Sequence, residues 1–112
     1  MNKTHEIQNT IEEIEILKEV EKDSLKVAVR IEFNRQEKTK NKNLILSLKK
    51  TLPIRSLCKI IRQHLKLDPS FSFTIVYGAK IVKMTDTIGA FSKASGNKWI
   101  KFTCNEIDSF GG

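Results

Sequence analysis

The sequence is poor in the residues that build most catalytic and metal-binding sites. It contains two histidines and two cysteines, and Cys58 and Cys104 lack the spacing of a metal site or a local disulfide. We interpret both cysteines as reduced core residues, and His5 and His64 as exposed side chains. The sequence also lacks a carboxylate pair, a nucleophile elbow and a phosphate-binding glycine loop. We therefore predict that the protein is not an enzyme and uses no metal or cofactor.

Long apolar runs are also missing. No stretch approaches the roughly 20 apolar residues of a membrane-spanning helix. The first ten residues, MNKTHEIQNT, lack the apolar core of a signal peptide. The chain of 112 residues, 39% hydrophobic, is long enough for one domain with a single modest core. We expect a cytoplasmic protein whose association with membranes is only indirect, through its partners.

Acidic residues are scarce outside the N-terminal segment. Residues 1–23 contain three Lys against seven Asp or Glu, whereas residues 24–104 contain seventeen Lys or Arg against four acidic residues. A basic body of this kind attracts nucleic acid, an acidic lipid surface or an acidic protein, although a merely solvated basic surface is the commonest explanation. The acidic head either lies against this body or floats free.

Residues 1–23 have a narrow apolar stripe between highly charged flanks. A helix that forms only on docking and a disordered segment both fit this pattern. We predict a flexible acidic extension outside the domain.

The remaining sequence alternates between the period of strands and the period of helices. "LKVAVRIEF" alternates apolar and polar residues, as a strand with one buried face does, and a polar connector separates it from a second strand. In order, the predicted elements are strands over 25–33 and 44–50, a helix between Thr51 and Asp68, a strand over 71–78, a short helical turn over 84–91 begun by Thr85 or Asp86, a loop over 92–97, and a strand over 98–104.

The main helix has two contrasting faces. Its apolar face is formed by residues at helical spacing, namely Ile54, Leu57, Cys58, Ile61 and Leu65. Its opposite face carries four basic residues, Arg55, Lys59, Arg62 and Lys66. We predict that the apolar face covers a sheet and that the basic face is open to partners.

This order of elements predicts an α+β fold. A helix that follows a hairpin covers the apolar face of the sheet, and the next strand crosses over to join the same sheet. That is the ubiquitin-like β-grasp arrangement, a mixed sheet packed on one main helix, and a mixed α+β sandwich of another topology is the alternative. We assign residues 24–104 to this domain and residues 105–112 to a mobile C-terminal tail.

The tail ends in two of the five glycines, Gly111 and Gly112. A frayed end is one explanation, because terminal residues are often disordered. The other is that the terminal carboxylate is the functional group, which would need neighbours without side chains.

A β-grasp domain with such a tail resembles the ubiquitin-like protein modifiers, and among them the autophagy protein 12 family. The resemblance is loose over residues 25–112 and best over 85–104. It rests on the helix "IRSLCKIIRQHL", the segment "DTIGAF", the loop and strand "SKASGNKWIKFTC", and an aromatic residue before the final glycine. The family usually ends in Trp-Gly and carries a Phe-Val-Asn strand motif, whereas this chain ends in Phe-Gly-Gly and has "IVYG". A divergent ubiquitin-like modifier of another subfamily is therefore an alternative.

The resemblance implies a conjugation pathway. An activating enzyme would adenylate the carboxylate of Gly112, Gly111 would give clearance, and Phe110 would help to position the tail. A conjugating enzyme would then join it by an isopeptide bond to a lysine of an autophagy scaffold protein. The resemblance also implies that partners bind the basic residues Arg55, Lys59, Arg62 and Lys66.

The competing hypothesis is a small nucleic-acid-binding or scaffold domain with no conjugation. It predicts that Trp99, Phe71 and Phe73 are exposed on one basic face of the sheet. The modifier hypothesis predicts that these rings are buried and does not require nucleic acid as a partner.

Overall fold

This computed structural model describes residues 3–34, 42–95 and 99–107. They contain one five-stranded sheet. Helices cover both faces of the sheet. The elements in chain order are α1 (Lys3–Lys22), β1 (Lys26–Asn34), β2 (Lys42–Lys49), α2 (Ile54–Leu65), β3 (Phe73–Tyr77), β4 (Lys80–Ile81), α3 (Gly89–Ser95) and β5 (Trp99–Glu106).

The strands are arranged in the order β2-β1-β5-β3-β4. β1 is antiparallel to β2 and parallel to β5, and β3 is antiparallel to both β5 and β4. A parallel pair needs a crossover connection, which here contains α2. This mixed sheet with one main helix confirms the predicted α+β β-grasp fold.

The core lies between the sheet and α2. Alternate residues of β1 point to it, from Val27 to Phe33, and residues of α2 at helical spacing meet them. The side chains of Ile54, Leu57 and Ile61 have no exposed surface, which confirms the predicted apolar face of this helix. Leu25, predicted to be the first inward residue of the strand, lies before β1 and is 70% exposed.

The loop before α3 is bound to the start of α2. The backbone N–H groups of Ile54 and Arg55 donate to the carbonyl oxygens of Asp86 and Met84, at 2.8 and 3.1 Å. These bonds satisfy donors that a helix terminus leaves free. The predicted short helix is present, but its predicted start at Thr85 or Asp86 is wrong, because residues 84–85 form a turn, Thr87 bridges to Pro53 and α3 begins only at Gly89.

Gly89 is needed where α3 approaches the end of β2. Its N–H donates to the carbonyl oxygen of Lys50 at 2.8 Å. A Cβ at Gly89 would lie 2.9 Å from both the Cβ and the carbonyl oxygen of Lys50. The helix then continues to Ser95, through residues that were predicted to form a loop.

β5 continues to Glu106, beyond its predicted end at Cys104. Asn105 pairs with Asn34 of β1, and its side-chain oxygen accepts a hydrogen bond from the Asn34 amide at 3.2 Å. Glu106 pairs with Phe73 of β3. Asn105 and Glu106 therefore belong to the sheet and not to the predicted tail, because neighbours on both sides extend the ladder.

The predicted acidic extension, residues 1–23, contains α1. The carboxylate of Glu13 forms an ion pair with Arg30 of β1, and Glu19 lies 3.7 Å from the ammonium group of Lys26. Lys26 and Arg30 point away from the α2 side of the sheet, because they alternate with the core residues of β1. α1 therefore lies against the outer face of the sheet.

The core packing predicts that truncating α2 destabilises the whole domain. Replacing Leu57 with Ala should lower the free energy of unfolding by about 2–5 kcal/mol, because a fully buried side chain is lost and a cavity remains. Urea denaturation followed by circular dichroism measures this change. Lys59→Ala, at an exposed position of the same helix, is the control and should change stability by less than about 0.5 kcal/mol. Equal midpoints for both variants would contradict this assignment of the core.

Candidate functional site

The C-terminal segment leaves the sheet from the end of a central strand. β5 lies between β1 and β3 and ends at Glu106. The N–H of Ile107 then donates to the carbonyl oxygen of Ser72 at 2.9 Å. The predicted conjugation residues, Phe110, Gly111 and Gly112, lie outside the described residues. We call Glu106 and Ile107, where the chain leaves the sheet, the root of the C-terminal segment.

The four basic residues predicted on α2 share one side of the helix. Arg55, Lys59 and Lys66 are exposed and Arg62 is partly buried. Since a helix rises 1.5 Å per residue, the row from Arg55 to Lys66 is about 16 Å long. We call these four residues the basic row.

Arg62 connects the basic row to the root of the C-terminal segment. Its guanidinium carbon lies 5.0 Å from the centroid of the Phe73 ring. Phe73 pairs with Glu106, the last residue of β5. One end of the basic row is therefore next to the point where the chain leaves the sheet.

Lys66 has a structural role as well as a charge. Its φ of 52° is in the left-handed region, and the N–H groups at this turn return to the carbonyl oxygens of Arg62 and Gln63. The helix thus ends at Leu65, before the predicted stop at Asp68 and Pro69. The backbone of Lys66 is therefore in a conformation that glycine prefers.

A small apolar area borders the Arg55 end of the basic row. Cys58 is partly buried, and its thiol contacts the sulfur of Met84 at 3.8 Å. Met84 is 39% exposed, and Ile81 of β4 is 67% exposed. Met84 and Ile81 carry no sequence signal, because β4 has only two residues and shows no alternation, and Met84 lies in the turn that follows it.

Both cysteine thiols have a pKa above the ordinary value, which makes them less reactive. Burial raises the pKa of Cys104 to about 12, and the nearby Cys58 adds to this effect. Burial also raises the pKa of Cys58, although the positive charge of Arg62 opposes it. Because the thiolate is the nucleophilic form, neither cysteine has the low pKa of a catalytic thiol.

The aromatic residues do not form the row expected of a nucleic-acid-binding face. The rings of Phe71 and Phe73 lie 5.8 and 5.4 Å from that of Phe33, on the core side of the sheet. Trp99 is on the outer face, where it is partly buried and the guanidinium of Arg30 lies 5.0 Å from its ring. The bases of a nucleic acid therefore cannot stack on all three rings at once, because the rings lie on opposite faces of the sheet.

Two negative findings apply to the described residues alone. Over residues 3–34, 42–95 and 99–107, no group of three or more His, Cys, Asp or Glu side chains is placed to hold a metal ion. Within the same ranges, no helix has the length and apolar character to span a membrane.

Comparison with known proteins supports the fold. No protein-family model matches the sequence, and no curated protein matches it. Among solved structures, the chain is similar to ATG8 of Trypanosoma brucei, with a TM-score of 0.68, 8% sequence identity and 82% of each chain covered. At this identity the likeness shows the fold alone, which is the α+β ubiquitin-like fold. The finer resemblance to the autophagy protein 12 family remains a hypothesis.

The thiol environments predict unequal alkylation. In the folded protein at pH 8.5, Cys58 should react slowly with iodoacetamide and Cys104 should not react until the chain unfolds, because Cys104 is buried and its pKa is about 12. Mass spectrometry of the alkylated protein, with and without urea, measures both rates. The Cys58→Ala variant serves as the control in which only Cys104 can react.

The raised pKa of Cys104 also predicts how the stability of the fold changes at alkaline pH. The pKa of Cys104 rises from its ordinary value of 9.0 to about 12 on folding. The unfolded chain therefore loses this proton first, and the stability that Cys104 contributes should decrease as the pH rises from about 9 towards 12. If Cys104 of the native protein were alkylated faster than the chain unfolds, the burial and the raised pKa of Cys104 would be contradicted.

Proposed function

We propose that this chain is a ubiquitin-like protein modifier of the autophagy protein 12 kind. In this proposal it is activated at the Gly112 carboxylate and joined by an isopeptide bond to a lysine of an autophagy scaffold protein in the cytoplasm. The chain is then a substrate of enzymes and not an enzyme itself. The main support is the position of β5, whose end holds the root of the C-terminal segment beside the basic row.

The course of β5 suits a donor tail. Hydrogen-bonded neighbours hold this strand on both sides, so the body can dock rigidly, and five residues separate Ile107 from the C-terminus. Five extended residues reach at most about 16–18 Å. That is shorter than an eight-residue tail would reach, because the sheet retains Asn105 and Glu106 and the Ile107 N–H is bonded to Ser72. The enzyme's active site must therefore lie close to the surface that binds the body.

The chemistry of activation explains the two glycines. A carboxylate is a poor electrophile, so an ATP-dependent activating enzyme first converts it to an acyl adenylate with release of pyrophosphate. A cysteine thiolate of that enzyme then displaces AMP and forms a thioester, which passes to the conjugating enzyme and finally to the target lysine. A Cβ at Gly111 would restrict the extended backbone next to the attacked carbonyl.

The basic row suits the partners of such a modifier. Arg55 and Lys59 are exposed and belong to a helix whose opposite side buries Ile54, Leu57 and Ile61. They can approach an acidic surface on the activating or conjugating enzyme, or on the scaffold protein, without disturbing the core. Charge complementarity of this type mainly increases the association rate and is weakened by salt.

Removing Gly112 should abolish activation and leave the fold intact. The deletion variant and Gly111→Val should form no thioester on the activating enzyme's cysteine in the presence of ATP. Non-reducing gel electrophoresis, repeated after adding a thiol reductant, detects the adduct. Ser109→Ala is the matched control, because it changes a nearby side chain and keeps both glycines. A reducible adduct at the unmodified rate in the deletion variant would refute the proposed site of activation.

Reversing charge at the exposed part of the basic row should weaken partner binding. The double variant Arg55→Glu and Lys59→Glu should slow association with the activating or conjugating enzyme by about tenfold at low salt, and 0.5 M salt should reduce the difference. Surface plasmon resonance measures the association rate. Arg62 and Lys66 are left unchanged, because one packs on Phe73 and the other ends the helix.

The control for this experiment carries the same change in net charge elsewhere. Lys18→Glu with Lys22→Glu alters two exposed positions of α1, on the face of the sheet opposite α2. It should leave the association rate within about twofold of the unmodified chain. If both double variants slow association equally, the row has no specific role and only net charge matters.

A further inference from the structure

The outer face of β1 and β2 is built to receive a helix. Ala28 points outward between Lys26 and Arg30, yet it has no exposed surface. Its partner across the β1–β2 ladder is Ser47, and Ile45 lies opposite Arg30. Small and apolar side chains thus form the floor of this face, with two cations beside them, and α1 covers it.

Two ion pairs join α1 to this face. Glu13 pairs with Arg30, and Glu19 lies 3.7 Å from Lys26. Arg30 also lies over the ring of Trp99, at 5.0 Å. This guanidinium is therefore shared between the helix and the sheet, and it connects the presence of α1 to the only tryptophan of the chain.

The apolar contribution of α1 is incomplete. Its inward residues Ile16, Leu17 and Val20 are only partly buried, and none of its residues from 11 to 22 is fully buried. Ile11 and Ile14 are 51% and 45% exposed. Docking on this sheet therefore leaves much of the apolar surface of the helix in water.

The floor is also imperfectly filled. Within the described part of the chain, the Ser47 hydroxyl is buried and has no hydrogen-bond partner. A partly open pocket of about 180 Å³ remains between α1 and β2, and Glu13, Arg30 and Ile45 are among the residues that line it. A buried polar atom without a partner costs stability. A helix that gave the Ser47 hydroxyl a hydrogen bond and filled this pocket would fit the face better than α1 does.

We propose that the outer face of β1 and β2 is a docking surface for an acidic amphipathic helix of a partner protein, and that α1 occupies it as an internal competitor. α1 displays the required chemistry, which is two carboxylates that meet Arg30 and Lys26 with apolar residues between them. The phosphate groups of a nucleic acid would satisfy the cations but offer nothing apolar to Ala28 and Ile45. The proposal is independent of conjugation, because it uses the face of the sheet opposite α2.

The test uses the full chain and a labelled synthetic peptide with the sequence of residues 3–22 as the probe. The variant Glu13→Lys with Glu19→Lys should release α1 and bind this peptide at least tenfold more tightly than the unmodified chain, as measured by fluorescence anisotropy. The control Glu15→Lys with Glu21→Lys makes the same charge change at exposed positions of the same helix and should bind like the unmodified chain. Emission from Trp99 should shift on release of α1 and return when the peptide binds.

Two further measurements identify the surface and the ligand class. Adding Lys26→Glu and Arg30→Glu to the released variant should abolish binding of the peptide. An oligonucleotide of equal charge should not compete with the peptide. Equal peptide affinity in the released and unmodified chains, binding that survives loss of both cations, or full competition by the oligonucleotide would each overturn the proposal.

A measurement on the unmodified chain covers the case in which the released variant does not fold. Surface ion pairs are screened by salt, so 0.5 M sodium chloride should accelerate amide hydrogen exchange of residues 11–22 several-fold while leaving β1 and β5 protected. Unchanged exchange in α1 would show that packing holds it in place, and would overturn the proposal.

Discussion

The parallel pairing of β1 with β5 is the constraint on which the rest of the structure depends. It joins the first and last strands of the chain at the centre of the sheet, with residue pairs from Ala28 and Trp99 to Asn34 and Asn105. A parallel pair requires a connection that crosses the sheet, and α2 lies in that connection. The buried face of the sheet, the side occupied by α2 and the direction in which the chain leaves the sheet all follow from this pairing.

Placing the last strand at the centre determines what the C-terminal segment can do. An edge strand would have one free side, and its end could fray. β5 instead has neighbours along both sides, and the turn at Ile107 is bonded to Ser72. The end of this strand is therefore held in place by its neighbours, and the chain leaves the sheet from a fixed position.

The parts of the fold that could be predicted from the sequence are those set by periodicity. Alternation identified the inward residues of β1, and helical spacing identified Ile54, Leu57 and Ile61, because apolar burial repeats with the geometry of each element. Alternation also places Trp99 on the face opposite Ile100, although its size favoured the core. The start of α3 was not predictable, since Met84 and Asp86 are held by backbone bonds to α2 that no side-chain pattern reveals.

The basic residues on the two faces of the sheet have different surroundings. Seventeen basic residues against four acidic ones over residues 24–104 suggest one large positive body. The sheet divides this charge instead. Lys26 and Arg30 on the outer face are matched by carboxylates of α1, whereas Arg55 and Lys59 on α2 remain exposed without such a cover. Because nearby opposite charges cancel most of the field beyond a Debye length, Arg55 and Lys59 contribute more to long-range attraction than Lys26 and Arg30 do. The two cations of the outer face thus act at short range on α1, whereas the exposed cations of α2 act at longer range on the surroundings.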